Sequence, residues 1–208
     1  CSGATVTTNP ASGSVFNVGI STVTATATDG CGNVSTCSFT VTVNDNVAPT
    51  VTCPSNIVVN TALGQCGRNV TYTATGTDNC GPVTTTFNPA SGSLFSVGTT
   101  TVTATATDVN GNTATCSFTV TVNDNQAPTI SCPANITVTA PNGQCSTAVT
   151  YNVTSTDNCT STVTVTPASG SIFAVGTTTV TAVATDNAGN TATCSFTVTV
   201  NGTGGNLT

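Results

Sequence analysis

Cysteine and aspartate are the residues in this chain whose types and spacing could do chemistry. The 208 residues include eleven Cys and seven acidic side chains, all of them Asp, with Arg68 as the only cation and no His. Paired Cys form disulfides, and carboxylates that converge can bind a hard cation such as Ca²⁺. The positions of the Cys and Asp therefore decide which of these chemistries is open to the protein.

The composition excludes several other classes of function. Binding of nucleic acid through its phosphates needs several Lys or Arg on one face, whereas this chain has one cation and a net charge of −6. No run approaches the roughly 18 consecutive apolar residues of a membrane-spanning helix. General acid–base catalysis has little to use, because His, Glu and Lys are all absent. We expect no enzyme, no nucleic acid partner and no membrane span.

The cysteines favour disulfides over a zinc site. Zinc sites combine Cys with His or use close C-x-x-C pairs, and the chain has neither. Disulfides persist in oxidising compartments. The sequence therefore predicts an extracellular protein, either secreted or on the cell surface.

An internal repeat with a period of 79 residues organises the chain. This distance separates Cys53 from Cys132, Cys66 from Cys145 and Cys80 from Cys159. The predicted organisation is the second half of a repeat at 1–45, complete repeats at 46–124 and 125–203, and a tail at 204–208. We expect the chain to be a segment of a longer series of such repeats.

Each repeat has the two-residue periodicity of β-strands. The run "TTTVTATATD" places Val102, Ala104 and Ala106 on one face and Thr on the other. Strict alternation predicts strands that are buried on one side, and the Asn110-Gly111 step predicts a tight hairpin. About seven short strands per repeat are typical of an immunoglobulin-like sandwich. The predicted fold class is all-β, with tandem immunoglobulin-like β-sandwich repeats of about 79 residues.

Several motifs recur in the same order in each repeat, including "APTVTCPSNIVV", "TDNC", "ASGSLFSVGTTTVTATATD" and "ATCSFTVTVND". Together they resemble the hyalin repeat, or HYR, domain over essentially the whole chain. The resemblance implies immunoglobulin-like modules that occur in tandem in extracellular matrix and cell-surface proteins and are associated with adhesion. Repeats with four Cys are similar to those of bacterial surface proteins. Cys31 departs from the pattern, since the other repeats have no counterpart.

Strand order suggests how the cysteines pair. The first and last strands of a seven-strand sandwich lie side by side, which predicts the pairs Cys53–Cys116 and Cys132–Cys194. The remaining expected pairs are Cys66–Cys80, Cys145–Cys159 and Cys1–Cys31, with Cys37 lacking an upstream partner. Between Cys66 and Cys80, however, an extended "NVTYTAT" spans about 20 Å, whereas a disulfide needs Cα atoms about 5.5 to 6 Å apart. Either the chain doubles back or Cys66 bonds to the next repeat.

The aspartates recur in the linkers, in the loop after the second strand and in the last hairpin. The candidate metal ligands are Asp45, Asp78 and Asp108 at one junction, and Asp124, Asp157 and Asp186 at the other. Asp can simply cap the backbone N–H groups of turns. Alternatively, the converging oxygens bind Ca²⁺. The motif "NDNxAP" is similar to the cadherin linker motif, in which calcium stiffens the joint, although the glutamate partners are absent here.

The predicted function is structural. We expect a disulfide-stabilised extracellular array in a fibre or a long cell-surface adhesin, with like repeats or copies of itself as partners. The alternative is an adhesive module that binds an extracellular glycan or a surface protein. Sugar-binding sites rely on aromatic side chains as platforms, however, and only 4% of the residues here are aromatic. Ice binding by the outward Thr rows is a weaker hypothesis, because a twisted sandwich presents such rows poorly. Seven N-x-Ser/Thr patterns, Asn158 among them, fit acceptors for N-linked sugars.

Overall fold

The computed structural model describes residues 3–203, and every regular element in that range is a β-strand. Alternating Thr and Val suit strands, because β-branched side chains pack well on a pleated, half-buried surface. Val102, Ala104 and Ala106 are fully buried, whereas Thr101 and Thr103 are exposed and Thr105 is half-buried. The all-β prediction and the predicted alternation are confirmed.

Three strands make up the described part of the first repeat: β1 (Thr5–Asn9), β2 (Gly19–Thr28) and β3 (Val34–Val43). They form an antiparallel sheet in the order β1-β2-β3. Within residues 3–203, β3 pairs with β2 alone. Phe39 on β3 remains 53% exposed, so this sheet has an apolar face without a complete cover.

The second repeat has eight strands: β4 (Thr50–Thr52), β5 (Ile57–Asn60), β6 (Gly67–Asn69), β7 (Thr75–Thr77), β8 (Val83–Asn88), β9 (Leu94–Ser96), β10 (Gly98–Asp108) and β11 (Thr113–Asn123). One sheet has the order β5-β11-β10-β8, and the short ladders β4-β7 and β6-β9 complete the repeat. β5 runs parallel to β11, with Ile57 opposite Val120. The expected hairpin joins β10 to β11, with Gly111 at a φ of 91° in its turn.

The third repeat has the same topology: β12 (Thr129–Ser131), β13 (Ile136–Thr139), β14 (Ser146–Ala148), β15 (Thr154–Thr156), β16 (Ser161–Thr166), β17 (Ile172–Ala174), β18 (Gly176–Asp186) and β19 (Thr191–Asn201). Its main sheet has the order β13-β19-β18-β16, with β12-β15 and β14-β17 as the short ladders. The chain is therefore a tandem array of immunoglobulin-like β-sandwich repeats.

Aromatic residues fill the same core positions in both complete repeats. Tyr151 packs edge-on against Phe173 and Phe196, with ring centroids 6.4 and 5.0 Å away. The hydroxyl of Tyr151 donates a hydrogen bond to the carbonyl of Pro167. Such edge-to-face contacts stabilise a core beyond simple area burial, and the hydrogen bond satisfies the buried end of the phenol. These residues are therefore structural.

The chain divides into two compact units, and the division passes through the second repeat. Unit 1 comprises the chain up to Pro54 together with Thr73–Asn88 and Thr103–Ser117, and unit 2 comprises Ser55–Tyr72, Pro89–Val102 and the chain from Phe118 onward. Each linker between repeats consequently lies inside one unit. Within residues 3–203 there is no helix with the length and apolar character needed to cross a membrane.

Candidate functional site at the junctions between repeats

Two disulfides lie within repeats and join the same strands in each. Cys53 bonds to Cys116, and Cys132 bonds to Cys194, both with Cα atoms 5.9 Å apart. In each case the Cys that follows the first short strand is joined to the last strand of the same repeat. These pairs match the ones expected from strand order.

A third disulfide joins consecutive repeats, and it corrects the remaining expected pairs. Cys66 bonds to Cys159 with Cα atoms 4.6 Å apart. The predictions Cys66–Cys80 and Cys145–Cys159 are therefore wrong, and Cys80, Cys145 and Cys37 are the free cysteines among residues 3–203. The physical reason is that β6 pairs with β9 and β7 pairs with β4, so the run between the two Cys is not a hairpin that would bring Cys66 to Cys80. The expected Cys1–Cys31 pair involves Cys1, which lies outside the described residues.

The Cys66–Cys159 bond belongs to what we call the second junction, formed in unit 2 by residues 61–66, 124–126, 157–160 and 186–190. The side chain of Gln126 makes three hydrogen bonds there. Its amide nitrogen donates to the Thr61 hydroxyl at 2.8 Å and to the Ala62 carbonyl at 3.1 Å, and its amide oxygen accepts the Gly64 N–H at 2.9 Å. One linker side chain thus holds the loop of the preceding repeat at three points.

Asp124 lies at the centre of the second junction and is only 9% exposed. Its carboxylate accepts hydrogen bonds from the Thr61 hydroxyl at 3.2 Å, the Gln126 N–H at 3.1 Å and the Asn158 amide at 3.2 and 3.3 Å. The same Asn158 amide donates to the Gln65 carbonyl at 3.1 Å. A buried carboxylate is costly unless it is hydrogen-bonded, and here these donors offset that cost. An N-linked sugar on Asn158 would be attached to this amide nitrogen and would disrupt these hydrogen bonds.

The hairpin aspartates cap their own turns. Asp186 accepts the Asn190 backbone N–H and side-chain amide, both at 2.8 Å, and Asp108 makes the same pair of bonds with Asn112. Burial alone raises the pKa of both carboxyls, but the Asn side chains and turn N–H groups outweigh it and lower each pKa below its ordinary value. Asn190 then also donates to the Asp124 carbonyl at 3.2 Å. Each hairpin Asp therefore orients an amide toward the linker.

The first junction, formed in unit 1 by residues 17–18, 44–47, 78–81 and 108–112, repeats part of this arrangement. The Asn110 amide donates to Asp45 Oδ2 at 3.0 Å, and the Asn112 amide donates to the Asp45 carbonyl at 3.3 Å. Val47 occupies the position of Gln126 and is 51% exposed. Cys80 occupies the position of Cys159, and its thiol is free. Burial, followed by the charges of Asp45 and other nearby carboxylates, raises the pKa of that thiol.

Only some of the predicted metal ligands lie close together. The possible ligand atoms of Asp45, Asp78 and Cys80 lie within 4.8 Å of one another, as do those of Asp124, Asp157 and Cys159. These acidic groups could hold a metal ion. The other two predicted ligands, Asp108 and Asp186, are not members of these groups, because their oxygens cap the hairpins.

One oxygen in each acidic group has no hydrogen-bond partner. Asp78 Oδ1 and Asp157 Oδ1 are both buried and unpaired, while the Oδ2 atoms of the same residues accept the backbone N–H of Cys80 and Cys159 at 2.8 and 2.9 Å. Asn158 Oδ1 is a further unpaired oxygen at the second junction. Buried oxygens are normally paired, so these atoms fit the oxygen ligands that a hard cation takes.

Sequence reasoning missed the amide side chains that connect the repeats. Gln126, Asn158 and Asn190 all hydrogen-bond across the second junction. The available signal was the recurrence of Asn next to Asp in "TDNC" and of "GN" in the last hairpin. Those motifs predict turns, but their amides also reach the neighbouring repeat.

The model of the HYR domain family matches residues 2–43, 44–122 and 123–200. The chain belongs to the HYR domain family. It is 40% identical over 116 residues to hyalin of Strongylocentrotus purpuratus, an alignment that covers 53% of this chain and 10% of that protein. It is also 40% identical over 124 residues to hyalin of Lytechinus variegatus, with 57% and 23% of the two chains covered. This HYR chain therefore spans about a tenth and about a quarter of these curated relatives.

Solved structures of cadherin repeats show a distant likeness to the HYR chain. Cadherin domains 1–5 of protocadherin gamma B2 align with 91% of this chain and 47% of their own, at 16% identity and a TM-score of 0.39. Mouse cadherin-23 EC22-24 aligns with 96% of this chain and 86% of its own, at 17% identity and a TM-score of 0.35.

Family membership and the disulfides together establish the general nature of the protein. The HYR domains follow one another in tandem, and the described residues contain three disulfides. Disulfides persist outside the reducing cytosol. The chain is a tandem of extracellular, disulfide-bonded HYR domains.

Proposed function

We propose that this HYR chain is a structural, non-enzymatic element of an extracellular fibre or long cell-surface adhesin. In this proposal, consecutive domains are joined stiffly to each other. The observation that carries this proposal is the Cys66–Cys159 disulfide, which links two consecutive repeats covalently. Repeat boundaries at 46 and 125, and a kinship with four-cysteine repeats of bacterial surface proteins, are parts of the same proposal.

The arrangement at the second junction supports a stiff joint. A disulfide alone leaves rotation about its own bonds, but here hydrogen bonds surround it. Gln126 holds the preceding loop, and Asn158 donates to the Gln65 carbonyl beside Cys66. The linker also contains Pro128, whose fixed φ limits bending. Bending this joint would break several of these contacts together.

Small-angle X-ray scattering of the full chain tests the proposal. The double variant Cys66→Ser, Cys159→Ser should show a broader distribution of dimensions than the unaltered chain, because the covalent link is lost. The matched control Cys80→Ser, Cys145→Ser removes two free thiols and should scatter as the unaltered chain does. Equal scattering from all three proteins would contradict a disulfide-stiffened array.

A second role, Ca²⁺ binding at the junctions, is favoured by the two unpaired aspartate oxygens. Asp45 and Asp78 would hold an ion at the first junction, and Asp124 and Asp157 at the second, where Cys159 is occupied by its disulfide. Carboxylates this close repel each other, and a divalent ion would neutralise them. When bound, the ion would supply only charge neutralisation and ligation of the unpaired oxygens.

Thermal unfolding in calcium and in EDTA tests this second role. Calcium should raise the melting temperature of the unaltered chain, because an ion that binds only the folded state stabilises it by mass action. The variant Asp78→Asn, Asp157→Asn should lose most of that increase. Asp29→Asn is the control, since Asp29 caps a hairpin outside both acidic groups. If calcium leaves the unaltered chain unchanged, the aspartates act only as caps and hydrogen-bond acceptors.

A further inference from the structure

The N-x-Ser/Thr patterns of the sequence differ in how the fold places their Asn side chains. An N-linked sugar is attached to the side-chain nitrogen of the Asn, and acceptors of this kind lie in surface loops. Two structural properties therefore separate the usable patterns from the rest. The Asn must be exposed outside a strand, and its Nδ2 must not already be engaged in a hydrogen bond.

Most of the seven patterns lack one of these properties. In three of them the amide nitrogen already donates to another group of the protein, which a sugar on that nitrogen would crowd: Asn33, Asn69 and Asn158. Asn201 is the last residue of β19, and Asn206 lies outside the described residues. Two patterns remain.

Asn135 has both properties. It is exposed and lies just before β13, which begins at Ile136. The Thr197 N–H donates to Asn135 Oδ1 at 2.9 Å, and no hydrogen bond of Nδ2 is found among the described residues. Thr137, which completes the pattern, is also exposed, while Ile136 packs against the core. The amide oxygen is thus fixed to the sheet, and the nitrogen is left open to a sugar.

Asn152 has both properties as well. It is exposed between β14 and β15, whereas its neighbours Tyr151 and Val153 pack against the core of the third repeat. Within residues 3–203 its side chain makes no hydrogen bond. Thr154 completes the pattern and is exposed at the start of β15. A sugar at Asn152 would therefore displace no contact of the fold.

We propose that Asn135 and Asn152 carry N-linked oligosaccharides. The donor is an oligosaccharide pyrophosphate on a lipid carrier. In the transfer, the bond from the first sugar carbon to the phosphate oxygen breaks, a bond from that carbon to Asn Nδ2 forms, one amide proton leaves, and the lipid pyrophosphate is released. Nothing is oxidised or reduced. Neither Asn belongs to the second junction, so this proposal is independent of the stiff array.

The second repeat provides a matched position that lacks the acceptor hydroxyl. Asn56 is the equivalent of Asn135, and its Oδ1 accepts the Thr119 N–H at the same 2.9 Å. It is likewise exposed and lies just before a strand, β5. Its pattern is incomplete because Val58 stands where the third repeat has Thr137. One geometry thus occurs both with and without the Thr that a sugar acceptor needs.

The test secretes the full chain from a eukaryotic host that glycosylates its secreted proteins. Intact mass counts the oligosaccharides, and peptide mapping after a glycosidase that converts each occupied Asn to Asp locates them. The unaltered chain should carry oligosaccharides at Asn135 and Asn152. Thr137→Val should lose the one at Asn135 alone, and Thr137→Ser should keep it. Val58→Thr should gain one at Asn56, because the geometry there already matches that of Asn135.

Three results would overturn the proposal. The first is the mass of the bare polypeptide in a culture whose own secreted proteins are glycosylated. The second is occupancy at Asn69 or Asn158 equal to that at Asn135, since a free nitrogen would then not select the site. The third is a Val58→Thr variant without a sugar on Asn56. Both repeat-to-repeat exchanges introduce a residue that the equivalent position already has, so we expect these variants to fold.

Discussion

The two junctions share their motifs but differ in the bonds that hold them. The second junction has a disulfide between repeats and a linker Gln126 that makes three hydrogen bonds to the preceding loop. In the first junction the corresponding residues are a free Cys80 and an exposed Val47. Both junctions keep the hairpin amides that donate to the linker, from Asn112 and Asn190.

The comparison identifies the contacts that distinguish the second junction from the first. The linker and the hairpin are present at both junctions, so they cannot account for the difference. The second junction has in addition the loop from Thr61 to Cys66, which belongs to the first half of the preceding repeat. Among residues 3–203, the first junction has no counterpart of this loop. At the second junction, the first half of the earlier repeat therefore contacts the linker and a loop of the later repeat.

Removing the disulfide between repeats should give the largest change. In the double variant Cys66→Ser, Cys159→Ser, we expect the free energy of unfolding to fall by about 2 to 5 kcal/mol, because a link that closes a long loop restricts the unfolded chain. Chemical denaturation measures the loss, and Cys80→Ser, Cys145→Ser is again the control, with no expected change. An equal effect of both double variants would mean that serine itself, and not the lost bond, is responsible.

Replacing the linker glutamine should give a smaller loss and make the second junction more like the first. Gln126→Val removes three hydrogen bonds at about 1 kcal/mol each and leaves the Gly64 N–H without its acceptor. We expect a lower urea midpoint with an unchanged slope.

The matched control for this change is Val47→Gln. Within the described residues the first junction lacks the loop that Gln126 contacts, so the new glutamine should leave the urea midpoint nearly unchanged. A stabilising Val47→Gln would show that the first junction offers partners of its own. The proposed dependence on the loop of the preceding repeat would then be wrong.

Sequence reasoning was successful where a feature depends only on contacts within one repeat. The alternation of Val102, Ala104 and Ala106 with Thr follows directly from one buried and one exposed face, and strand order placed Cys53 next to Cys116. It left two alternatives where the partner lies in another repeat. Pairing within one repeat gave Cys66–Cys80, which is wrong, whereas the length of the intervening run indicated a bond from Cys66 to the next repeat, as observed for Cys159.

The candidate site was harder to predict than the fold for a related reason. Asp and Asn residues at turns look alike in sequence whether they cap one hairpin or also reach a neighbour. Asn190 does both, because one amide nitrogen contacts Asp186 and the Asp124 carbonyl. Which acceptors lie within reach depends on how two repeats pack against each other. Short-range periodicity in the sequence does not predict that packing.

Acid should produce the smallest effect, and it should be alike at the two junctions because Asp108 and Asp186 have the same surroundings. Hydrogen bonds from Asn112 and Asn190 keep the folded-state pKa of these carboxyls below the ordinary value of 3.8. A lowered folded-state pKa contributes stability that is complete above the ordinary value and is lost as the pH falls through the folded-state pKa. The melting temperature should therefore fall with pH only below about 4 on account of these groups.

Melting curves of Asp108→Asn and Asp186→Asn, recorded from neutral pH down to about pH 2, check this expectation and sharpen the comparison. Each variant should be less stable than the unaltered chain at neutral pH, since an amide cannot accept from both the turn and the Asn side chain as a carboxylate does. Each should also show a shallower decline in acid. The two variants should behave alike, because the caps are common to both junctions and do not depend on the disulfide or on Gln126. A much larger effect of Asp186→Asn would mean that the hairpin cap also supports the bonds peculiar to the second junction, through the link from Asn190 to the Asp124 carbonyl.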